Sequence, residues 1–449
     1  MMKKITAPIC DFARRYEKSG TLRLHMPGHK GVPFMGCEGL DITEIKGADS
    51  LFEAEGIIAE SEKNASALFG ARTFYSTEGS SLCIRTMLAL IMQNNPERGE
   101  KTRVLAGRNA HKAFLSAAAL LDLEVEWLYP EGEHSYLACP IAPAALEARL
   151  REMAPKPAAV YITSPDYLGN MADVAGLAAV CHAHGVYLLV DNAHGAYLKF
   201  LEPSLHPIDL GADLCCDSAH KTLPVLTGGA YLHISEHVSP LFADQAKKIM
   251  ALFASTSPSY LILQSLDAVN AYLAEHSNRY ADFAALLTVH RARLRAAGYV
   301  LVGNEPLKWT IYTKAYGYTG VEFSDILRAK GIECEFADPD YVVLMLSPML
   351  SNADLARVVE VLSWIKRRPP IQTIPPAVAV PEQSESIRSA MLAPKEVLPI
   401  SQCVGRVLAD PGVGCPPAVP ILVCGERIDR AALDAFAYYG ITACTVVKE

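Results

Sequence analysis

The sequence predicts an α/β chain organised on a mostly parallel β-sheet, and three observations point there. Between about residues 60 and 235, short apolar runs alternate with segments of helical pattern. Strands separated by helices need crossover connections, which make them parallel and bury the sheet on both faces. The apolar fraction, 51% of 449 residues, is ample for a large core. A chain of this length usually divides into several compact units, because single cores stop growing at roughly 250–300 residues.

Taken in order, Ser80–Met92 reads as a helix, Thr102–Ala106 as a short strand, His111–Leu121 as a helix and Val125–Tyr129 as a strand. Ala158–Thr163 is a strand and Val174–Ala183 a helix. Val186–Val190, β-branched and apolar, is a strand that ends at Asp191. Asp213–Cys216 and Gly229–Ile234 add two short strands. Residues 241–297 are nearly continuous helix, broken near Ser255–Ser259. From 298 the pattern changes: strand-like Tyr299–Val302, Trp309–Thr313 and Tyr341–Leu346 mix with helices at about 321–330 and 353–366. RRPPIQTIPPAVAVPEQ (367–383) is Pro-rich and therefore extended. The tail holds a helix near Ala431–Tyr439 and a Pro-dense stretch at 414–426. The expected divisions are an N-terminal segment (1–60), a large domain (61–270), a small α+β domain (271–368), a linker (369–384) and a C-terminal domain (385–449).

A net charge of −8, from 41 basic and 49 acidic residues, argues against a nucleic-acid binder. No apolar run reaches the roughly 18–20 residues that cross a bilayer, so no membrane partner is expected. The start, MMKKITAPICDFARRYEKSG, lacks the apolar stretch of a secretory signal, which predicts a cytoplasmic chain. The 12 cysteines are scattered without a C-x-x-C pair, as reduced and mostly buried residues are. Other constellations carry less. His25 and His29 flank helix-breaking MPG, His182 and His184 read as finishing a helix, and Cys215–Cys216 as core. No metal site is expected.

Ligands of parallel sheets bind beyond the carboxyl ends of the strands, and the polar clusters there carry the chemistry. In DLCCDSAHKTL (213–223) a strand runs into Ser218, Ala219, His220 and Lys221. A partly desolvated lysine beside other cations suits a Schiff base with an aldehyde; the alternative is a solvated surface lysine. In VYLLVDNAHGAY (186–197) a strand delivers Asp191, which suits a protonated heterocycle nitrogen or simply caps the next turn. Thr77, Gly79, Ser80 and Ser81 open a helix, either as an anion cradle or as an ordinary cap. His111 in GRNAHKA follows a strand and opens a helix. There it either stacks on a flat cofactor ring or makes an ordinary polar contact. Neither a P-loop nor a strand-borne G-x-G-x-x-G is present.

HMPGHKG (25–31), DITEI (41–45), LFGARTFYSTEGSS (68–81), GRNAHKA, ITSPDYLGNMAD (162–173), LLVDNAHGA, DSAHKTL, STSPSYLILQSLD (255–267) and GRVLADPGVGCPPAVPILVCGE (405–426) occur in one order. Together they resemble the bacterial ornithine/lysine/arginine decarboxylases, fold type I enzymes dependent on pyridoxal phosphate, over roughly residues 21–430. The resemblance implies a Schiff base on Lys221, Asp191 facing the pyridine nitrogen and His111 stacked on the ring. Ser80, Ser81 and Ser218, with Gly79, would hold the phosphate. Ala193 and His194 would pack near the ring, and His220 beside the reacting carbon. It implies decarboxylation of a small cationic amino acid to its amine, of the kind used in polyamine biosynthesis. It also implies a homodimer in which Ser255–Tyr260 reaches the partner's site, and a short form lacking an N-terminal receiver-like domain. A different pyridoxal phosphate reaction, transamination or β-elimination, and a non-catalytic relative are the rival readings. Departures from the family pattern are Glu78, Asp166, Gly228, Cys415, Ala418 and the CGE around Glu426. Of these, Glu426 and Asp166 are the expected partners of the substrate's distal cation, unless they are structural carboxylates.

Overall fold

A computed structural model describes residues 5–95, 100–132, 135–377, 380–411 and 417–449. Cys415, one of the departures noted above, lies outside the described residues. Seven strands form one hydrogen-bonded sheet: β1 (Arg72–Ser76), β2 (Arg103–Gly107), β3 (Glu124–Leu128), β4 (Ala159–Thr163), β5 (Tyr187–Asp191), β6 (Leu214–Asp217) and β7 (Ala230–Ile234). Their order is β1-β7-β6-β5-β4-β2-β3. The mostly parallel α/β expectation holds, with one refinement. β7 runs antiparallel to both β1 and β6, because the connection 218–229 holds only a four-residue helix instead of the longer crossover a parallel return needs. A four-stranded antiparallel sheet follows, made of β8 (Leu301–Val302), β9 (Lys308–Tyr312), β10 (Phe336–Ala337) and β11 (Tyr341–Met345) in the order β10-β11-β9-β8. Strands β12 (Lys395–Pro399), β13 (Leu408–Asp410) and β14 (Ala443–Val447) form a third sheet in the order β12-β14-β13.

The helices are α1 (Pro8–Lys18), α2 (Ile57–Phe69), α3 (Gly79–Gln93), α4 (Lys112–Leu121), α5 (Pro143–Glu152), α6 (Val174–Ala183) and α7 (Ala219–Thr222). They continue with α8 (Pro240–Phe253), α9 (Tyr260–His276), α10 (Asn278–Ala296), α11 (Gly320–Ala329), α12 (Asn352–Trp364), α13 (Ile387–Leu392) and α14 (Arg430–Tyr438). The nearly continuous helix expected over 241–297 is broken before Tyr260, as expected, and a second time at Ser277.

Contacts divide the chain into two units. The first contains Met1–Arg98, Ala158–Val160 and Val174–Ala281; the second contains Gly99–Pro157, Tyr161–Asp173 and Asp282–Glu449. The division is discontinuous along the chain. In the first unit β5 shows why a β-branched and apolar run becomes a central strand. Leu188, Leu189 and Val190 are fully buried, each stabilising the fold by about 1.5–3 kcal/mol, while the strand's last residue is the polar Asp191. In the second unit α14 and the three-stranded sheet close a separate core around Leu422, Ile428, Phe436 and Val446. No helix among the described residues is long and apolar enough to cross a membrane.

Candidate active site

The first unit gathers its polar side chains where β5 and β6 end. These strands are parallel, and Asp191 pairs in register with Cys216. Asp191 and the turn carrying Ser218 to Lys221 therefore leave neighbouring strands, about 4.8 Å apart, at the same edge. Asp191 is 2% exposed. Its Oδ1 accepts from the Ala193 N–H at 3.2 Å and from the Cys216 thiol at 3.6 Å. Lys221 sits half-buried on the single turn α7, its Nζ 3.1 Å from His194 Nε2. An ammonium has only protons to give, so Lys221 donates and His194 Nε2 is the acceptor. His220 Nδ1 lies 3.0 Å from the Gly229 carbonyl. A carbonyl accepts only, so the His220 proton is on Nδ1 and Nε2 keeps its lone pair.

Helix α3 begins beside this turn. Ser218 Oγ donates to Ser80 Oγ at 2.8 Å, and Ser81 follows in the same first turn. Gly79 has φ +69°, and a Cβ there would meet open space. Its N–H is held by the Gly228 carbonyl at 2.7 Å. Gly228 itself has φ +98°, and a Cβ would come within 2.9 Å of the Thr77 carbonyl. The close approach of the two loops therefore accounts for glycine at 228, where the family pattern has a larger residue. Glu78 does not turn back on the helix start: its Oε1 accepts the Ser255 N–H at 2.6 Å.

Behind this edge lies a buried network that the sequence reading missed. Asp217, fully buried, accepts from His206 Nε2 and His233 Nε2 at 3.1 Å each and from Asn192 Nδ2 at 2.7 Å. Asn192 follows Asp191 and Asp217 precedes Ser218, so this bond clamps the two segments that carry the reactive groups. Burial works against the Asp217 charge, but the two imidazoles overcome it and hold the carboxyl well below its usual range. Burial also lowers His233 below its ordinary value. Neutral His233 takes the Thr73 hydroxyl on Nδ1 at 2.9 Å and donates from Nε2. The histidines and Asp217 were visible in the sequence, but nothing in their spacing pairs them.

The second unit holds the remaining expected residues. His111 caps α4, its Nδ1 accepting the Ala113 N–H at 3.1 Å. The next residue, Lys112, donates its N–H to the Ala418 carbonyl at 2.8 Å, and Ala418 lies at φ +56°. The C-terminal segment thus lies against the β2–α4 loop. Glu426 and Asp166, expected either as partners of a substrate cation or as structural carboxylates, both have internal partners. Glu426, 1% exposed, meets Arg108 Nη2 at 2.8 Å and the Val423 N–H at 2.7 Å, so its cation is internal. Burial raises it, with Arg108 opposing. Both oxygens of buried Asp166 are taken by Asn170, its N–H at 2.9 Å and Nδ2 at 2.8 Å. Arg108, inside the GRNAHKA motif but unassigned from sequence, also lies over the Trp127 ring at 5.3 Å.

The donor set in the first unit fits the pyridoxal phosphate that the motifs imply. A primary amine is held against an imidazole, a buried carboxylate stands on the adjacent strand, and hydroxyls cluster at a helix start with open space over Gly79. These meet an aldehyde, a pyridinium and a phosphate.

The sequence matches the family "Orn/Lys/Arg decarboxylase, major domain" over residues 7–296. It is 29% identical to an arginine decarboxylase of Halalkalibacterium halodurans, covering 96% of this chain and 93% of that one. With an arginine decarboxylase of Bacillus subtilis it shares 28% identity over 95% and 92% of the two chains. The fold is similar to that of the Francisella novicida lysine decarboxylase, with TM-score 0.78, 16% identity and coverage of 99% of this chain and 81% of that one. The constitutive lysine decarboxylase of E. coli gives TM-score 0.75 at 17% identity, with 99% and 82% coverage.

Proposed function

The chain belongs to the Orn/Lys/Arg decarboxylase family and is a decarboxylase of a basic amino acid; on that premise we propose that Lys221 holds pyridoxal phosphate at the carboxyl edge of the large sheet. The observation that carries this reading is the placement of Lys221 and Asp191 at the same ends of neighbouring parallel strands.

Bound there, pyridoxal phosphate supplies an electron sink for the pair left behind when carbon dioxide departs. Asp191 would hold a proton on the ring nitrogen, its orientation set by Ala193 and Cys216. Ser80, Ser81 and Ser218, with the open space at Gly79, would take the phosphate. His194 Nε2, 3.1 Å from Lys221 Nζ, can receive the proton the amine must lose before it acts as a nucleophile. His220, whose Nδ1 donates to Gly229, would take up a proton on Nε2 and, once protonated, return it to the carbon that carbon dioxide leaves.

Relatives along nearly the whole chain carry the name arginine decarboxylase, which favours arginine over lysine and ornithine. A second copy is also supported. Leu24, Phe34 and Met35 are 84%, 92% and 82% exposed in one N-terminal stretch, and apolar groups gathered this way mark interaction surfaces. Incubating the pyridoxal phosphate-loaded protein with each amino acid while measuring carbon dioxide and amine tests the function. Agmatine and carbon dioxide in equal amounts from arginine are expected. Keto-acid formation, or no turnover with cofactor bound, would overturn the reading.

A further inference from the structure

We propose that His182, Asp213 and His237 form a surface site for a borderline divalent transition-metal ion, with zinc as its natural probe. The three residues come from different elements: His182 from the last turn of α6, Asp213 from just before β6, and His237 from the loop after β7. Their ligand atoms lie within 4.8 Å of one another. Asp213 Oδ1 lies 2.8 Å from His237 Nε2, and His182 Nε2 straddles the carboxylate, 3.2 Å from Oδ1 and 3.1 Å from Oδ2. Two ligands on a tetrahedral zinc ion, each about 2.0–2.1 Å from it, lie about 3.3 Å apart. The carboxylate–imidazole spacings therefore need to open by about half an ångström at most, and both imidazoles are exposed enough to move.

The surroundings are those of a built site. Asp213 is buried, and its Oδ2 also accepts the Leu188 N–H at 2.6 Å, which fixes the carboxylate with Oδ1 toward His237. Ser235 Oγ lies 2.6 Å from His237 Nδ1. A hydroxyl both gives and takes a proton, so Ser235 can accept from Nδ1 and turn the Nε2 lone pair toward an ion, the outer-shell contact that metal-binding histidines require. The deeper His206–Asp217–His233 group differs on this point. There Thr73 and the Ile208 N–H occupy both Nδ1 atoms, so each Nε2 carries a proton that Asp217 accepts. That group is a closed hydrogen-bonded network. At Asp213 two histidines and one carboxylate leave coordination positions open to solvent, a donor set suited to zinc, cobalt or nickel. The site stands at the end of β6 opposite Ser218, about 16 Å along the strand. Bound metal would therefore staple α6, β6 and β7 without entering the reaction.

The test titrates zinc chloride into the full-length protein loaded with pyridoxal phosphate, alongside His182→Gln, His237→Gln and the double variant, by calorimetry and thermal melting. Wild type should take up one equivalent and melt at a higher temperature with zinc. The single variants should bind at least about tenfold more weakly, and the double variant should neither bind at this affinity nor shift, with decarboxylation unchanged in all. Asp213→Asn keeps an acceptor for Leu188 and should also lose the zinc response. Equal zinc uptake and melting in wild type and double variant, or no uptake by wild type, would overturn the proposal.

Discussion

Lys221 meets His194 at 3.1 Å, and that contact sets what its removal does. In Lys221→Ala no amine remains to hold the aldehyde. Borohydride treatment should then leave no cofactor covalently attached, as read by protein mass, whereas wild type should gain the reduced adduct. An adduct that persists in the variant would place the attachment elsewhere. Asp217 holds two imidazoles and the Asn192 amide together in the core, so its loss should lower stability. Asn at 217 cannot accept all the donors that meet Asp217, and a buried donor left unpaired costs about 1–3 kcal/mol, so Asp217→Asn should lower the urea midpoint accordingly. The pH dependence has a definite sign. A carboxyl held below its unfolded value, about 3.9, adds stability that is fully present above that value. It is lost as pH falls through the lower folded value. Wild type should therefore lose this advantage in acid, while Asp217→Asn should lack that part of the acid dependence.

At the scale of elements, Asp267 on α9 joins three helices of the first unit. Its Oδ2 accepts the Cys10 N–H of α1 at 2.9 Å, and its Oδ1 accepts the Ser61 hydroxyl of α2 at 2.5 Å. Burial pushes this carboxyl up to about 6. A raised folded value means the native state binds the proton more tightly than the unfolded chain. The resulting stability is fully present below about 3.9 and is lost as pH rises through about 6. Asp267→Asn, neutral throughout, should flatten the fall in melting temperature between pH 5 and 7; an unchanged slope would refute the assignment. Strands β4 to β7 and helices α3, α4 and α6 were legible because buried runs and helical patterns are local signals. β1 and β12–β14 were not. RTFYS reads as the approach to a helix, β12 and β14 alternate in burial without a strong apolar run, and β13 is only three residues long.

For the whole molecule, the exposed stretch around Leu24, Phe34 and Met35 is the feature most open to test. If a second copy covers it, Leu24→Asp with Phe34→Asp should convert a dimer to a monomer in light scattering. A mass unaffected by both changes would place the interface elsewhere. Activity should fall with the dimer if Ser255–Tyr260 serves the partner's site. Within a single chain, Ser255 already donates to Glu78, and Tyr260 donates its hydroxyl to the Asp49 carbonyl at 2.6 Å.

By itself the sequence determined the α/β class, the residues at the strand ends and the family chemistry they imply. Each of these is written in short stretches, a strand followed by its turn, whose periodicity and turn chemistry are local. Only the tertiary structure decided which groups pair. Arg108 and Glu426, 318 residues apart, pair with one another, a partnership that nothing in the tail's own sequence announces. His182, read as the end of a helix, converges with Asp213 and His237. The reason is topological: hydrogen bonds and ion pairs depend on separations of a few ångströms. Residues far apart in sequence reach those separations only when the order of strands and the path of the loops bring them together.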